Sequence, residues 1–542
     1  MKVNFKKQIA MLLAATTCLS VAACNAGEDP TPPDYSSYSH RFNFYCYAPP
    51  NAGTWKADDG STMYSGEDYR TVERYKEYKD CGFDTLMVQS SGNYQGEDFE
   101  TSNLKMVMDR AYEAGIEQII VTDNRLQRLS EGIVHVDENG VADPTSSTRL
   151  NLSDVDGDGD VMEIDVKEHL VGENRPFATE ADLDEYVAYC MTPYMNYPGF
   201  YGVQLKDEPN YRHVTFYGDA YRAVKRVCPD AFVQYNLNQI YTDPNYFYGY
   251  PGWEGTRSAY DAMLYDDDEE QGCERYAKYL EAYIDQTGAE YIMWDSYPLK
   301  GSSGIRGQYI RNLQVTAEVC KEKGVAFANT TQTESELATS NGAVKMRKVT
   351  EEGARWLNNM LLGFGVKQIV YYTYFNKGRE NDSIYPDGTS FITHYGEKTE
   401  LYYFMQKIIA EDQKFAPVIL NFDYVTSNVY TVTPSTYTME HVRLVKRGNK
   451  FQKVKRVEIN KECALATELY DKENDQYMYM IQNVVDPKYQ GAKAYQTATV
   501  EFSEEFTHAL VYRNGEPTTE KLNKGKLTVK QHPGEAVYVL PY

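Results

Sequence analysis

Two kinds of hydrophobic patterning divide the chain near residue 421. Before that point, short apolar runs alternate with amphipathic stretches whose apolar residues recur at i, i+3 and i+4, the pattern of parallel βα units. Several of these stretches, such as 69–78 and 309–320, are followed by a glycine just before the next apolar run, as helices ending in a left-handed glycine are. The apolar runs lie at 42–47, 85–90, 118–123, 201–206, 232–236, 291–295, 325–330 and 368–374.

Eight such units close a ring of parallel strands without remainder, so residues 39–420 are predicted to form an α/β domain with a (β/α)8 (TIM) barrel. Beyond it, short runs of alternating apolar and polar residues separated by turns predict a C-terminal antiparallel β-sandwich at 421–542. Because this second region carries no motif, we interpret it as an accessory domain. Its predicted strands lie at 429–432, 442–445, 477–482, 498–502, 509–512, 527–529 and 536–540.

The first 38 residues have the layout of an export signal and a tether. Three lysines precede an apolar run at 9–23, which is shorter than the roughly 20 residues that a transmembrane helix needs. The small residues before Cys24 resemble the lipobox of bacterial lipoproteins, in which the cysteine is lipidated. We therefore expect a signal peptide at 1–23, lipidation at Cys24, an acidic proline-containing tether at 24–38, and anchoring to the bacterial outer membrane, at the cell surface or on the periplasmic face. An ordinary secretory signal that contains a cysteine is the alternative.

Composition narrows the function classes. The chain has 542 residues, a net charge of -24 and 42% hydrophobic residues, so it is too apolar to be disordered. The acid excess argues against a nucleic-acid partner, since phosphate binding needs clustered Lys and Arg. The 49 tyrosines suit a wet cleft for a ligand such as a sugar, although a tyrosine-rich surface fits as well. The cysteines form no C-x-x-C pair, which argues against a zinc site or a dense disulfide framework.

The predicted carboxyl ends of the strands, where barrel enzymes carry their chemistry, are unusually polar. The fourth strand ends in Asp207, Glu208 and Pro209, and no cluster of basic residues for phosphate is present. A ring of acids, amides and aromatics fits a neutral polyhydroxylated ligand. The plain alternative for the first two residues is a helix start, with a capping Asp and a Glu in the first turn. The candidate substrate-binding residues are Asn236, Asn238, Trp294, Asp295, Tyr297, Gln332 and Tyr372.

Three segments carry a resemblance to a known family: 207–209, 294–298 and 355–365. Over about 42–421 the chain resembles the (β/α)8 glycoside hydrolases of the large retaining superfamily, whose catalytic glutamates lie on strands four and seven. The resemblance implies that Glu208 is the general acid/base and that Glu334, with Glu336 competing, is the nucleophile. Asp207 stands where the superfamily usually has Asn, and an Asp-Glu pair resembles enzymes that cleave N-acetylhexosaminides by orienting the substrate acetamide.

Two mechanisms therefore remain open. Glu208 acts with Glu334 in a double displacement, or Asp207 and Glu208 support substrate-assisted cleavage, with Asp295 as a hydroxyl ligand or the second acid. The predicted function is a glycoside hydrolase that acts on a neutral or N-acetylated glycan without an organic cofactor. The alternative is a non-catalytic, glycan-binding surface lipoprotein. A peptidase or esterase is disfavoured, because neither G-x-S-x-G nor H-E-x-x-H occurs.

An acidic loop at 154–165 matches the twelve-residue calcium loop nearly position by position. Acids stand at the first, third and fifth positions, glycine at the sixth and a carboxylate at the twelfth. We expect structural calcium in the insertion near 151–166, where the ion would hold the inserted loop in place. A solvated acidic loop is the alternative. The predicted metal ligands are Asp154, Asp156, Asp158, Asp160 and Asp165.

Overall fold

The computed structural model of the protein describes residues 30–56, 62–64, 66–89, 92–154, 167–242, 269–301, 304–337, 344–376, 389–393, 395–433, 435–437, 441–445 and 448–542. The predicted signal peptide, Cys24 and most of the predicted calcium loop (Asp156, Asp158, Asp160 and Asp165) lie outside the described residues. Within the predicted tether, Tyr35 is only 5% exposed and its hydroxyl donates to Asp471. The packed part of the chain therefore includes Tyr35.

Eight parallel strands form two four-stranded sheets in the first region. They are β1 (Asn43–Cys46), β2 (Thr85–Met87), β3 (Gln118–Val121), β4 (Phe200–Asp207), β5 (Phe232–Asn236), β6 (Tyr291–Ser296), β7 (Ala326–Gln332) and β8 (Gln368–Tyr372). One sheet has the order β2-β3-β4-β5 and the other β1-β8-β7-β6, and every pair is parallel. The prediction of parallel strands in this region is confirmed.

The two sheets meet at both of their edges. Past the end of β5, the Leu237 N–H donates to the Met293 carbonyl of β6 at 2.7 Å. At the other junction, the Tyr78 hydroxyl accepts from the Cys46 N–H of β1 at 2.9 Å and donates to the Thr85 carbonyl of β2 at 3.0 Å. A buried side chain thus bridges two strand edges that have no ladder between them, which satisfies their backbone groups.

Nine α-helices of the described residues surround or connect these strands. They are α1 (Val72–Asp80), α2 (Asn103–Glu113), α3 (Asn124–Leu129), α4 (Glu180–Met191), α5 (Val214–Val227), α6 (Glu269–Thr287), α7 (Tyr309–Lys323), α8 (Glu351–Gly363) and α9 (Glu400–Ile419). Local sequence sets several of their ends. Thr179 and Asp182 form a capping box at the start of α4, and α7 ends at Gly324 with φ +68°. Two-stranded hairpins lie at Thr54–Lys56 with Thr62–Tyr64, Ile133–His135 with Arg149–Asn151, and Glu336–Leu337 with Val344–Met346.

The C-terminal region consists of antiparallel sheets. Its strands are β9 (Asp423–Thr431), β10 (Val454–Ile459), β11 (Cys463–Asp471), β12 (Gln476–Asn483), β13 (Gln496–Phe502), β14 (His508–Arg513), β15 (Glu516–Lys521), β16 (Lys526–Gln531) and β17 (Ala536–Pro541). A six-stranded sheet has the order β9-β11-β12-β17-β14-β15, and a three-stranded sheet has the order β10-β13-β16. A second apolar cluster, including Tyr479 and Phe502, is built from residues of both sheets. The antiparallel prediction is confirmed, although the strand expected at 442–445 is irregular chain.

The antiparallel region packs against α8 and α9. The Gln482 amide of β12 donates to the Trp356 carbonyl at 3.0 Å, and the rings of Phe415 and Tyr512 lie 4.8 Å apart. A side chain on Gly363 would meet the Met480 sulfur at 2.3 Å, so glycine permits the close approach of α8 to β12. Arg347, just after the hairpin that follows β7, also donates to Asp486 Oδ2 of the C-terminal region at 3.0 Å, so this region contacts a loop at the carboxyl ends of the parallel strands as well.

Candidate active site

The backbone around Glu208 turns sharply where β4 ends. Glu208 has φ +46°, in the left-handed region that costs a residue with a Cβ about 1 kcal/mol or more. Its N–H donates to the Asn236 carbonyl of the neighbouring β5 at 2.8 Å, which holds the turn in place. The Asn238 amide donates to the Pro209 carbonyl at 3.2 Å and fastens the next residue. The chain thus positions a half-buried glutamate at a strained strand end.

Asp207 is held by two hydrogen-bond donors on one oxygen. The Tyr47 hydroxyl, just past β1, and the Asn236 amide both lie 3.1 Å from Asp207 Oδ1. Thr330 of β7 lies 3.3 Å from Asn236 Oδ1, which fixes the orientation of that amide. Burial and the charge of Asp207 raise the pKa of Tyr47 well above its usual value, so this hydroxyl stays a donor. Two donors converge on one oxygen of Asp207, so this side chain acts as a hydrogen-bond acceptor.

Asp295, at the end of β6, has the opposite environment. It is 4% exposed, and within the described part of the chain its Oδ1 has no hydrogen-bond partner. Burial, followed by the negative charges of Glu208 and Asp207, raises the pKa of Asp295 well above its usual value, and a hydrogen bond with Tyr297 opposes this only in part. The three carboxyl groups therefore lie within each other's electric field, and burial favours a proton on Asp295.

Three tyrosine rings stand beside these acids. The rings of Tyr297 and Tyr372 lie 5.2 Å apart, and those of Tyr372 and Tyr47 lie 6.0 Å apart. Tyr297 and Tyr372 are half-buried, so part of each ring faces open space. Aromatic faces next to carboxylates are the usual surface on which a sugar ring stacks.

The two other candidate acids have different surroundings. Glu334, past the end of β7, is fully buried, and the Thr373 hydroxyl lies 3.2 Å from its Oε2. Its charge contributes to raising the pKa of Cys46 in β1, whereas the charges that raise the pKa of Asp295 most are those of Glu208 and Asp207. Glu336 lies in a hairpin and pairs with Lys345 at 2.6 Å. The structure thus groups Asp207, Glu208 and Asp295, and it pairs Glu336 elsewhere.

Three predicted substrate-binding residues have contacts typical of packing. The Trp294 indole is fully buried and donates to Thr316 of α7 at 2.9 Å. Neighbouring residues of a strand point to opposite faces, so Trp294 lies on the face opposite to that of Asp295. Gln332 accepts from the Leu299 N–H at 3.0 Å and donates to the Arg347 carbonyl at 3.0 Å. Asn238 fastens Pro209, as described above. These three residues therefore pack around the site. Of the other predicted substrate-binding residues, Asp295 is one of the grouped acids, and Asn236, Tyr297 and Tyr372 lie beside them.

Sequence reasoning missed Tyr47. It ends the first predicted strand, where tyrosine looks like one more apolar residue of the run. The signal was its position at a strand end, the same criterion that selected Asp207 and Asp295. The Gln234 amide donates to the Tyr47 hydroxyl at 3.3 Å, and that hydroxyl in turn donates to Asp207.

Among the described residues, no group of three or more His, Cys, Asp or Glu side chains is arranged to hold a metal ion. Of the predicted calcium ligands only Asp154 is described. In the same part of the chain, no helix is long and apolar enough to cross a bilayer.

Comparisons with known proteins gave results at the level of the fold. No family model matches the sequence, and no curated protein matches it. The chain is similar to solved glycoside hydrolase structures. A family 39 glycoside hydrolase from Bacteroides cellulosilyticus WH2 is 10% identical, with 93% of this chain and 81% of that chain covered and a TM-score of 0.41. The alpha-amylase of Geobacillus thermoleovorans is 11% identical, with 93% and 97% covered and a TM-score of 0.42.

A GH30 endoxylanase from Clostridium papyrosolvens C71 is 10% identical, with 93% of this chain and 97% of that chain covered and a TM-score of 0.38. The chain is similar to these proteins in fold. Roles for its residues follow from the contacts that those residues make.

Proposed function

We propose that the protein is a glycoside hydrolase acting on a neutral or N-acetylated glycan, and that its two parallel sheets are the halves of a (β/α)8 barrel with the active site at the carboxyl ends of the strands. The observation that carries the proposal is the grouping of Asp207, Glu208 and Asp295 in contrasting environments. Cleavage of a glycosidic bond needs one protonated and one ionised carboxyl group. Neighbouring carboxyl groups whose environments push their pKa values apart can supply both.

In this proposal Glu208 donates its proton to the leaving glycosidic oxygen as the bond from that oxygen to the anomeric carbon breaks. Asp207, which accepts from Tyr47 and Asn236, orients the acetamide of an N-acetylated sugar, whose oxygen attacks the anomeric carbon. A water molecule then attacks the same carbon, releases the acetamide oxygen and gives a proton to Glu208. Asp295 is a positioning residue that shares the electric field of both acids, and its negative charge, when it ionises, opposes loss of the proton from Glu208. Tyr297 and Tyr372 support the sugar ring.

The test is turnover of aryl glycosides, N-acetylated ones included, by the wild type and by Glu208→Gln. Loss of a general acid lowers the rate by about 10²–10⁴-fold, so we expect the variant to lose activity by that factor. Glu336→Gln is the matched control, because Glu336 is engaged with Lys345 in a hairpin, and it should keep full activity. Unchanged glycan release by Glu208→Gln overturns the assignment. Saturable glycan binding without turnover by the wild type supports a non-catalytic binding protein instead.

Two further variants separate the open mechanisms. Asp207→Asn should abolish cleavage of N-acetylated substrates if Asp207 orients the acetamide, and Glu334→Gln should then retain most activity. The reverse result supports double displacement by Glu208 and Glu334. Proton NMR of the first-formed product shows whether the anomeric configuration is retained, as both of these routes require.

We also propose that Cys24 is lipidated and anchors the chain to a membrane. The support is the order of small residues before Cys24. Mass spectrometry of the protein from the membrane fraction should show acyl chains on Cys24, and Cys24→Ala should move the protein to the soluble fraction. Membrane retention of that variant without acylation contradicts the proposal.

Calcium in the loop at 154–165 is proposed on the spacing of its acids. A ligand that binds only the folded state raises the unfolding temperature, so EGTA should lower it by several degrees and added calcium should restore it. Asp156→Asn with Asp158→Asn should remove the response to EGTA. A wild type indifferent to EGTA and calcium means that the loop holds no ion.

A further inference from the structure

A cavity of about 370 Å³ lies at one end of the three-stranded sheet of the C-terminal region. Its walls are formed by Asn460 and Lys461 after β10, by the start of β13 with Tyr495 before it, and by the end of β16 with His532 after it. All of its lining residues belong to the C-terminal region, whereas the candidate active site is built from the parallel strands. The cavity is therefore separate from the proposed catalytic acids in both sequence and domain.

The wall of this cavity carries an exposed aromatic pair. Tyr495 is 40% exposed, although large apolar side chains of the described residues are mostly buried. Its ring lies 4.2 Å from the His532 ring with an angle of 53° between the planes, so His532 supports Tyr495 from one side. An exposed ring held in place by a neighbour offers its other face to a sugar at a small cost in side-chain entropy.

The floor of the cavity is fixed before any ligand binds. Gln496 is 1% exposed and its amide donates to the Lys461 carbonyl at 2.8 Å, while Asn460 Oδ1 accepts from the Thr497 N–H at 2.8 Å. Gln531, also 1% exposed, donates to the Ile481 carbonyl at 2.6 Å. The side-chain oxygens of Gln496 and Gln531 have no donor within the described residues. Both oxygens are shut off from solvent, so these glutamines hold in place the strands that line the cavity.

The charge of the cavity is opposite to that of the protein. The chain carries a net charge of -24, yet the lining includes Lys461, Lys530 and His532 and no acidic residue. The Lys461 ammonium donates to the Ala492 carbonyl at 2.6 Å, and no ion pair joins either lysine to an acid in the described part of the chain. The nearest acid in the hydrogen-bond network, Glu535, accepts from the His532 N–H at 2.9 Å and is already paired with Arg513 at 2.8 Å.

We propose that this cavity is a second, non-catalytic glycan-binding site that takes a saccharide unit bearing an anionic group, a uronate carboxylate or a sulfate ester. The sugar ring stacks on Tyr495 and the anionic group lies between the ammonium groups of Lys461 and Lys530. The ligand class, a glycan, rests on the proposed function of the active site, whereas the anionic character rests on the cavity alone. Such a site holds a polymer that carries both kinds of unit: an anionic unit binds in this cavity while the active site cleaves at a neutral or N-acetylated unit.

The test measures binding by calorimetry on the full chain with Glu208→Gln, which prevents turnover. The probes are a hexasaccharide containing uronic acid, a sulfated hexasaccharide and a neutral hexasaccharide. We expect one of the two anionic probes to bind in a salt-dependent manner and the neutral probe to bind at least tenfold more weakly. Which anionic probe binds identifies the group. A neutral probe that binds as tightly, without dependence on salt, overturns the charge assignment.

Variants locate the binding. Tyr495→Ala should weaken binding of the anionic probe at least tenfold, Tyr495→Phe should keep it, and Lys530→Ala should weaken it severalfold and reduce its salt dependence. Lys526→Ala, on the same strand but paired with Glu501, and Tyr403→Ala, an exposed tyrosine of α9, are the controls and should leave it unchanged. No loss of binding in Tyr495→Ala and Lys530→Ala overturns the proposal.

Failure of this inference is distinguishable from failure of the proposed function. With Glu208 restored, Tyr495→Ala should hydrolyse small aryl glycosides at the wild-type rate and release product from a polymer more slowly. If small substrates are cleaved normally and probe binding does not depend on Tyr495, only the second site is refuted. If no substrate is cleaved but Tyr495-dependent binding persists, only the enzymatic function is refuted.

Discussion

Asp295 at the end of β6 and Asp412 in α9 are two aspartates whose pKa values are raised chiefly by burial, but among different neighbours. Burial and two negative neighbours, Glu208 and Asp207, raise the pKa of Asp295. Burial raises the pKa of Asp412 to about 7, but a hydrogen bond from Asn358 at 2.8 Å and the charge of Arg355 oppose the shift. One acid lies in a repulsive cluster at a strand end, and the other in a satisfied contact between helices.

The comparison shows that a raised pKa alone does not identify a catalytic group. Asp412 lies between α8 and α9, beside the C-terminal region, where its neighbours already satisfy it. Asp295 adjoins a half-buried glutamate in the left-handed backbone region and two half-buried tyrosines. What distinguishes Asp295 is that a buried carboxyl group, whose Oδ1 has no partner among the described residues, lies in the field of two other acids at a strand end, an arrangement typical of functional sites.

The largest expected difference between the two aspartates is in catalysis. Asp295→Asn should lower kcat by about 10²-fold, the loss expected when the reacting groups are no longer correctly positioned. It should also move the alkaline limb of the kcat/KM profile to lower pH, because an ionised Asp295 no longer opposes loss of the catalytic proton. Asp412→Asn should leave kcat and the profile unchanged. Equal losses in both variants, measured over pH 4–9, would break the comparison.

The next expected difference is in stability. The unfolded chain loses the Asp412 proton near pH 4 and the folded chain near pH 7, so wild-type stability falls as pH rises between these values. Asp412→Asn does not titrate, and its stability relative to the wild type should therefore improve by about 2–4 kcal/mol from pH 4 to pH 8. Urea unfolding at both pH values measures this. A constant difference between the two proteins means that Asp412 is ionised in the folded state.

The smallest expected effect concerns the donors that oppose repulsion in the strand-end cluster. Tyr47→Phe removes one of two donors to Asp207 and should lower kcat about tenfold, since a hydrogen bond to a charged group contributes roughly 1.5–3 kcal/mol. Tyr538→Phe is the matched control, because this buried tyrosine of β17 donates to the Asn359 carbonyl at 3.1 Å, away from the strand-end acids. A similar loss of kcat in both variants would assign Tyr47 to packing.

Much of the candidate site was predictable because barrel enzymes carry their chemistry at the carboxyl ends of the strands. Asp207, Glu208 and Asp295 were selected because parallel strands of one ring end on the same side, whatever the details of packing. Trp294 was selected by the same rule and lies on the other face, against α7. Adjacent residues of a strand point in opposite directions, and a strand apolar on both faces does not show which direction is inward.

The alternation of strands and helices, the change to antiparallel strands near residue 421 and the acids at the strand ends could be read from the sequence, because they follow from local periodicity and chain order. The sequence does not show which acids share an electric field, that Tyr47 just past β1 donates to Asp207 of β4, or that lysines distant in sequence line one cavity with Tyr495. Electrostatic coupling depends on distances between atoms, and those distances are set by packing between elements far apart in the chain.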